Sequence, residues 1–188
     1  MNPDNDPKPW TVESSEYIHQ LPWFTVRKDD VRMANGGHIP NYFVFEYPSW
    51  INVVAVTADN QLVLIRQYRH AIAGVYYELC AGVVDPGEEP LVAAQRELLE
   101  ETGYGGGNWQ PLMTLSANPG THSNLTYSFL ATGVELKQAP HLEATEEIMV
   151  HLVSSERARE IINIGEMMQA LHLAPLLKYL SEPRGGLG

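Results

Sequence analysis

Three glutamates, Glu97, Glu100 and Glu101, stand at i, i+3 and i+4 in the segment that follows Pro90. If that segment is helical, the three side chains share one face, because residues three and four apart are neighbours on a helix surface. Like charges so placed repel one another and call for a compensating cation. One reading is a solvated acidic stripe partly balanced by Arg96, which can pair with Glu100 four residues on. The other is a metal site. Hard cations such as Mg²⁺ or Mn²⁺ prefer oxygen ligands, whereas zinc would want clustered Cys or His. A divalent ion held by such a face can bridge a diphosphate, neutralise charge developing on its oxygens and lower the pKa of a bound water. The surroundings favour the metal. Leu91, Val92, Ala94, Leu98 and Leu99 make the other face apolar enough to fix the helix against a sheet, and the preceding loop adds Glu88. That loop also holds two glycines, Gly82 and Gly87, where backbone can come close to a ligand.

The elements that must position this face follow from pattern. Pro90 suits the first turn of a helix running to about Thr102, and Gly103 suits the left-handed cap that ends it. Upstream, residues 23–27 and 41–45 flank the turn formers Asn35-Gly36-Gly37, and residues 51–56 and 62–68 flank Asp59-Asn60, so two hairpins are expected. A short strand is expected at 76–80, and further strands at 110–115, 125–132 and 147–153. Helices at 156–163 and 166–180 follow, with Ser154 or Ser155 as the cap of the first. Strands dominate the first half and helices the end, with one helix inserted between strands. The fold class is therefore α/β, a mixed sheet sandwiched between helices.

Bulk properties set the frame. A chain of 188 residues suits one domain, 1–188, with loose ends at about 1–8 and 182–188. Cys80 is the sole cysteine and lies in an apolar stretch, so the expectation is a buried thiol in a reducing compartment. The first residues lack the basic and apolar regions of a signal peptide, and no stretch reaches membrane-spanning length, which makes cytoplasmic the expected location. A formal net charge of −11 argues against nucleic-acid binding, since a phosphate backbone would be repelled. It also sharpens the need for a cation if the substrate is itself a phosphate compound.

The stretch from Gly82 to Gly103 resembles the signature of the Nudix hydrolases: Gly, five residues, Glu, seven residues, Arg-Glu, an aliphatic, one residue, Glu-Glu, one residue, Gly, and an aliphatic. Gly82, Glu88, Arg96, Glu97, Leu98, Glu100, Glu101 and Gly103 match, and Tyr104 replaces the final aliphatic. The resemblance implies a Nudix-type α/β/α sandwich. It further implies Mg²⁺ or Mn²⁺ held principally by Glu97 and Glu101, with Glu100 contributing directly or through water. Arg96 would orient these glutamates and the carbonyl of Ala81 would complete the coordination.

Weaker motifs from about Trp23 to Leu180 resemble the ADP-ribose and nucleotide-sugar pyrophosphatase branch. Tyr76-Tyr77-Glu78-Leu79 looks like its aromatic-x-Glu pattern and Gln67-Tyr68-Arg69 like its Gln-x-Arg strand end. Glu78 and Arg69 thereby become substrate-binding candidates, Arg69 as a phosphate contact or else a surface ion pair. Asn118-Pro119-Gly120-Thr121 resembles the branch's Ser-Pro-Gly loop, where Gly120 and Thr121 would present backbone amides to phosphate; relatives carry Glu where this chain has His122-Ser123-Asn124. The acidic run Glu143, Glu146, Glu147 resembles a mobile loop in which one glutamate deprotonates the attacking water and a neighbour binds metal. Glu146 is the first choice for the base and also a candidate metal ligand, with Glu143 the second choice for the base. Trp23 is a candidate for stacking on a nucleobase. The expected chemistry is in-line attack of an activated water on one phosphorus, so that ADP-ribose gives AMP and ribose 5-phosphate. GDP-mannose, dinucleoside polyphosphates, nucleoside triphosphates or coenzyme A remain open as substrates, as does a noncatalytic nucleotide sensor. The resemblance also implies a homodimer built through N-terminal strands at about 9–48.

Overall fold

The structure, a computed structural model, describes residues 6–182. Of the ends expected to be loose, residues 1–5 and 183–188 lie outside the described residues, and those described there, 6–8 and Glu182, are exposed. The described residues form two compact units, one of residues 6–48 with Asn118–Asn124, the other of Ser49–Ala117 with residues 125–182.

The first unit is an antiparallel sheet, β1 (Thr11–Leu21), β2 (Phe24–Arg32) and β3 (His38–Glu46), in that order. The Asn35-Gly36-Gly37 signal stands: Gly36 has φ +89°, and the turn closes on Met33 N donating to Gly37 O at 2.8 Å. Strand β1 was not readable from pattern. All its residues are exposed, and two register shifts interrupt its pairing, so there is no buried face to impose an alternation. Trp23, expected to open a strand, lies instead in the turn between β1 and β2 and is 67% exposed. Asn118–Asn124 is tied into this unit by Phe45 N donating to Thr121 O at 2.7 Å and Asn124 Nδ2 to Pro48 O at 2.9 Å.

The second unit carries β4 (Trp50–Thr57), β5 (Leu62–Arg69), a 3₁₀ turn (His70–Ile72), β6 (Gly74–Glu78), β7 (Cys80–Val83), α1 (Pro90–Thr102), β8 (Tyr104–Gly105), β9 (Asn108–Leu115), β10 (Thr126–Leu136), β11 (Ile148–Val153), α2 (Ser155–Asn163) and α3 (Ala170–Ser181). Strands run β11-β5-β4-β10-β8, with β6 on β5, β7 on β4 and β9 on β10. β4 and β10 are parallel and the other pairs antiparallel, so the sheet is mixed. Two cores flank it. Ile51, Val53, Ala55 and Cys80 pack with Ala93, Ala94 and Leu98 of α1. On the opposite face, Val54, Val56, Leu62, Leu64 and Leu79 pack with Ala158 and Ile161 of α2 and Leu176 and Leu180 of α3. The expected α/β sandwich is present.

Three features of the second unit differ from the sequence expectation. The strand expected at 76–80 is two strands, because the chain crosses from β5 to β4 at Leu79. Tyr77, Glu78, Leu79 and Cys80 are all buried, so no alternation marks the crossing. The last helix begins at Ala170 and not at 166: Gly165 sits at φ +76°, and Glu166 O accepts from Tyr77 N at 2.8 Å, which takes that carbonyl out of any helix ladder. On α1, Leu91 and Val92 are 39% and 53% exposed, and Ala93 joins Ala94 and Leu98 in the buried stripe. That stripe continues into Glu101 and Thr102, which decides the character of the site.

Candidate active site

Helix α1 presents its acidic residues unequally. Glu101 lies within the buried stripe at 4% exposure; the side chain of Glu97 is 14% exposed and that of Glu100 is 45% exposed. Pro90 at the first helical turn and Gly103 at φ +76°, with its amide on Leu99 O at 2.9 Å, bound the helix as the sequence predicts. Arg96 is the hub of the acidic face. It donates to both oxygens of Glu88 at 3.0 Å, to Glu97 Oε1 at 2.9 Å, to Glu100 Oε2 at 3.2 Å and to Val83 O at 3.1 Å. Charge-assisted bonds of this kind fix side-chain geometry, so the loop before α1, the strand β7 and two of the three glutamates are tied through one guanidinium. The Glu88 carboxyl is held below its ordinary range by Arg96.

Glu101 is the exception, for it receives no guanidinium. Its Oε2 accepts from Ala81 N at 3.1 Å, and the Cys80 thiol bonds to the same carboxyl. Burial pushes Glu101 up to about 8, and the charges of Glu97 and Glu146 add to the rise. Glu97 is raised as well, first by burial and then, against Arg96, by Glu100 and Glu146. The same burial, with Glu101 beside it, lifts the thiol of Cys80. Gly82 makes room for one of these carboxyls. A Cβ at that position would overlap the Glu97 carboxyl group, so a larger residue there would move this side chain from its place across β7.

This donor set fits a hard divalent cation. The charge of Glu146 raises the proton affinity of both Glu97 and Glu101, and that of Glu97 raises Glu101 further; an excess of partly buried negative charge is what such an ion offsets. The carboxylates do not all converge on one point. Among the described residues, the set whose ligand atoms all lie within 4.8 Å of one another is Glu13, Asp30 and His38 in the N-terminal unit. On α1, Arg96 draws Glu97 and Glu100 to itself while Glu101 turns to Ala81.

Glu143 and Glu146 lie in the loop before β11. It is pinned beside the end of α1 by His141 N donating to Glu100 O and Lys137 N to Gly103 O, both at 2.8 Å. Glu146 is half-buried, and its charge acts on Glu97 and Glu101. Glu143 is exposed and gives its amide to Glu146 Oε2 at 2.9 Å. The spacing left both open; of the two, Glu146 is the one whose charge reaches Glu97 and Glu101.

A pocket of about 640 Å³ opens beside this cluster and is lined by Arg69, Glu78, Ala81, Gly82, Asn52 and His172 among others. Arg69 and Glu78, each read singly from sequence, form an ion pair, with Arg69 Nε donating to Glu78 Oε1 at 2.8 Å and a second bond from Nη2. Gln67 Nε2 adds a bond to Glu78 Oε2 at 3.1 Å. Glu78 is 2% exposed while the Arg69 side chain is 43% exposed, so the guanidinium is anchored from behind and keeps donors facing the pocket. Gln67, Asn52 and His172 were missed by sequence reasoning. Gln67 had a signal in its Gln-x-Arg context; the other two stand in apolar stretches with no motif.

Gly120 and Thr121 belong to the first unit. The carbonyl of Gly120 accepts from the Tyr42 hydroxyl, and the amides of Thr121 and His122 both turn onto Asn118 O, at 3.0 and 2.8 Å. The amide of Thr121, expected to face phosphate, is thus engaged within its own turn.

Comparison with known proteins agrees with this construction. Residues 48–171 match the model of the NUDIX domain, and residues 10–45 match that of the nucleoside diphosphate sugar hydrolase N-terminal domain. The chain is 34% identical over 167 residues to an ADP-ribose pyrophosphatase of Mycobacterium tuberculosis, an alignment covering 87% of this chain and 80% of that one. It is 35% identical over 127 residues to a GDP-mannose pyrophosphatase of Enterobacter sp., covering 63% and 65%. A solved ADP compounds hydrolase superposes with a TM-score of 0.79 at 22% identity over 93% of this chain and 94% of its own, which shows the fold.

Proposed function

The chain belongs to the Nudix hydrolase family, and from that premise we propose that it cleaves the diphosphate of ADP-ribose or a related nucleoside diphosphate sugar, releasing a nucleoside monophosphate and a sugar phosphate. The observation that carries the reading is the adjacency of two arrangements: the raised, partly buried carboxyls of Glu97 and Glu101, and the Arg69 guanidinium backed by buried Glu78 at the mouth of one pocket. Relatives named for ADP-ribose and for GDP-mannose favour a nucleotide sugar and leave the base open.

Glu97, Glu101 and the carbonyl of Ala81 would hold Mg²⁺ or Mn²⁺, with Glu100 contributing directly or through water. Bound there, the ion would supply charge neutralisation at the diphosphate and acidify a nearby water. Arg96 holds Glu97 and Glu100 in place through its fixed fork of donors. Arg69 takes a phosphate oxygen with the N–H groups that Glu78 does not use, which stabilises the departing phosphate monoester. Glu146, whose charge acts on Glu97 and Glu101, would accept the proton of the attacking water.

The test is product release with Mg²⁺ from a panel of ADP-ribose, GDP-mannose, dinucleoside polyphosphates, coenzyme A and nucleoside triphosphates. Turnover of a nucleotide sugar at two equivalents of phosphomonoester is expected. Binding without release from any member would replace the hydrolase reading by that of a sensor. Glu97→Gln and Glu101→Gln are each expected to lower Mg²⁺-dependent turnover by at least about a hundredfold with the circular dichroism spectrum unchanged, since even outer-shell changes at metal sites reach that scale.

A further inference from the structure

At Leu79 the chain leaves its pairing with β5 and takes up pairing with β4, and a backbone amide at such a crossing has no ladder partner. Leu79 is fully buried, so an unbonded N–H there would cost on the order of 1–3 kcal/mol. The partner is a side chain: His172, in the first turn of α3, accepts from Leu79 N through Nδ1 at 2.9 Å. His172 is itself buried, at 3% exposure. Its other nitrogen, Nε2, lies 3.9 Å from Glu78 Oε2, on the carboxylate that anchors Arg69.

The neighbouring residue of α3 makes a second bond of the same kind. Pro175 stands inside the helix and has no N–H, which frees the carbonyl four residues back, that of Leu171. Asn52 Nδ2 donates to Leu171 O at 2.8 Å. Asn52 is the register partner of Ala81 across β4 and β7. Two adjacent residues of α3 therefore grip the two sides of the strand crossing, one beside Glu78 and one opposite Ala81.

Resting on the function proposed above, we infer that His172 and Asn52 are positioning residues: they clamp the first turn of α3 onto the Glu78–Ala81 segment and so set the presentation of Arg69 and the Ala81 backbone to the substrate. The clamp needs a neutral imidazole with its proton on Nε2, and burial, which depresses His172 to about 4, keeps it so. Glu78 and Arg69 are the charged groups that face it, acting in opposite senses.

Two measurements test this. The first needs no substrate. In the full chain the Leu79 amide should be among the most slowly exchanging, and ¹⁵N shifts should show His172 unprotonated at Nδ1. In His172→Leu, exchange at Leu79 should quicken by at least about tenfold relative to the β4 amides. The second is kinetic, with whichever member of the substrate panel turns over. His172→Leu should raise KM by about tenfold, equivalent to about 1.4 kcal/mol, with kcat within about threefold. His172→Asn, whose Oδ1 can accept in place of Nδ1, should restore KM, and Asn52→Ala should mimic the loss in part. Rapid exchange of Leu79 in the unaltered chain, or equal KM in the Leu and Asn variants, would overturn the inference. Absence of turnover across the panel would instead reject the function proposed above and leave the exchange result to decide the clamp.

Discussion

At the scale of single residues, the site turns on what neutralises Glu101. Arg96 serves Glu88, Glu97 and Glu100, whereas Glu101 bonds to the Ala81 amide and the Cys80 thiol, and burial holds its carboxyl at about 8. At pH 7 it is therefore largely protonated, and a divalent ion binding there must displace the proton. Titration calorimetry with Mn²⁺ in buffers of different ionisation enthalpy should show release of about one proton per ion near pH 7; an enthalpy independent of buffer would argue against Glu101 as a ligand. Glu146→Gln should lower kcat by about 10²–10⁴-fold with little change in metal affinity, the scale of lost general-base catalysis. An unchanged kcat would move the base to Glu143 or to α1. The spacing of Glu97, Glu100 and Glu101 was legible in sequence because helical periodicity is local. Their inequality was not, because it depends on which stripe of α1 faces the sheet, and that stripe takes in Ala93 and excludes Leu91 and Val92.

Among elements, the glycines and the strand crossing do the positioning. Gly82→Ala would put a methyl group into the Glu97 carboxyl, so this variant should keep its fold and lose metal-dependent turnover. A stability loss with activity per folded molecule retained would contradict that. The link between α3 and the β6–β7 crossing has its own signature in pH. His172 is depressed in the folded chain to about 4 from an ordinary 6.5. Between those values the unfolded chain binds the extra proton, so the contribution of this residue is complete above pH 6.5, declines as pH falls toward 4 and is absent below. The urea midpoint should drop across that window, and His172→Leu should flatten the drop; an identical slope in both would contradict it. Elements with one buried face or a turn former were readable: the hairpins at Asn35-Gly36-Gly37 and Asp59-Asn60, α1 between Pro90 and Gly103, and α2 behind Ser154, whose side chain accepts from Arg157 N at 3.2 Å. Fully buried or fully exposed stretches were not, and so the break at Leu79 and the whole of β1 escaped pattern.

For the whole molecule, a net charge of −11 means that an anionic substrate is repelled unless cations intervene. An ion on the α1 acids, together with Arg69, would supply them. The N-terminal unit exposes Tyr17, Ile18, Leu21 and Trp23 on a strand and turn with no buried face, and Trp10 just before that strand, and large apolar side chains exposed together mark an interaction surface. We propose that a second copy covers it and that Trp23 meets the nucleobase there. Light scattering should give twice 21.0 kDa, and Ile18→Asp should shift the molecule toward monomer; a monomeric parent chain would contradict the proposal.

The central claim is that the acids of α1 hold the divalent ion. Anomalous scattering from crystals soaked in Mn²⁺ tests it directly. The expected result is a strong peak contacted by Glu97, Glu101 and the Ala81 carbonyl. A chain whose manganese binds only at Glu13, Asp30 and His38, where acidic and imidazole ligand atoms already lie within 4.8 Å of one another, with none on α1, would contradict it.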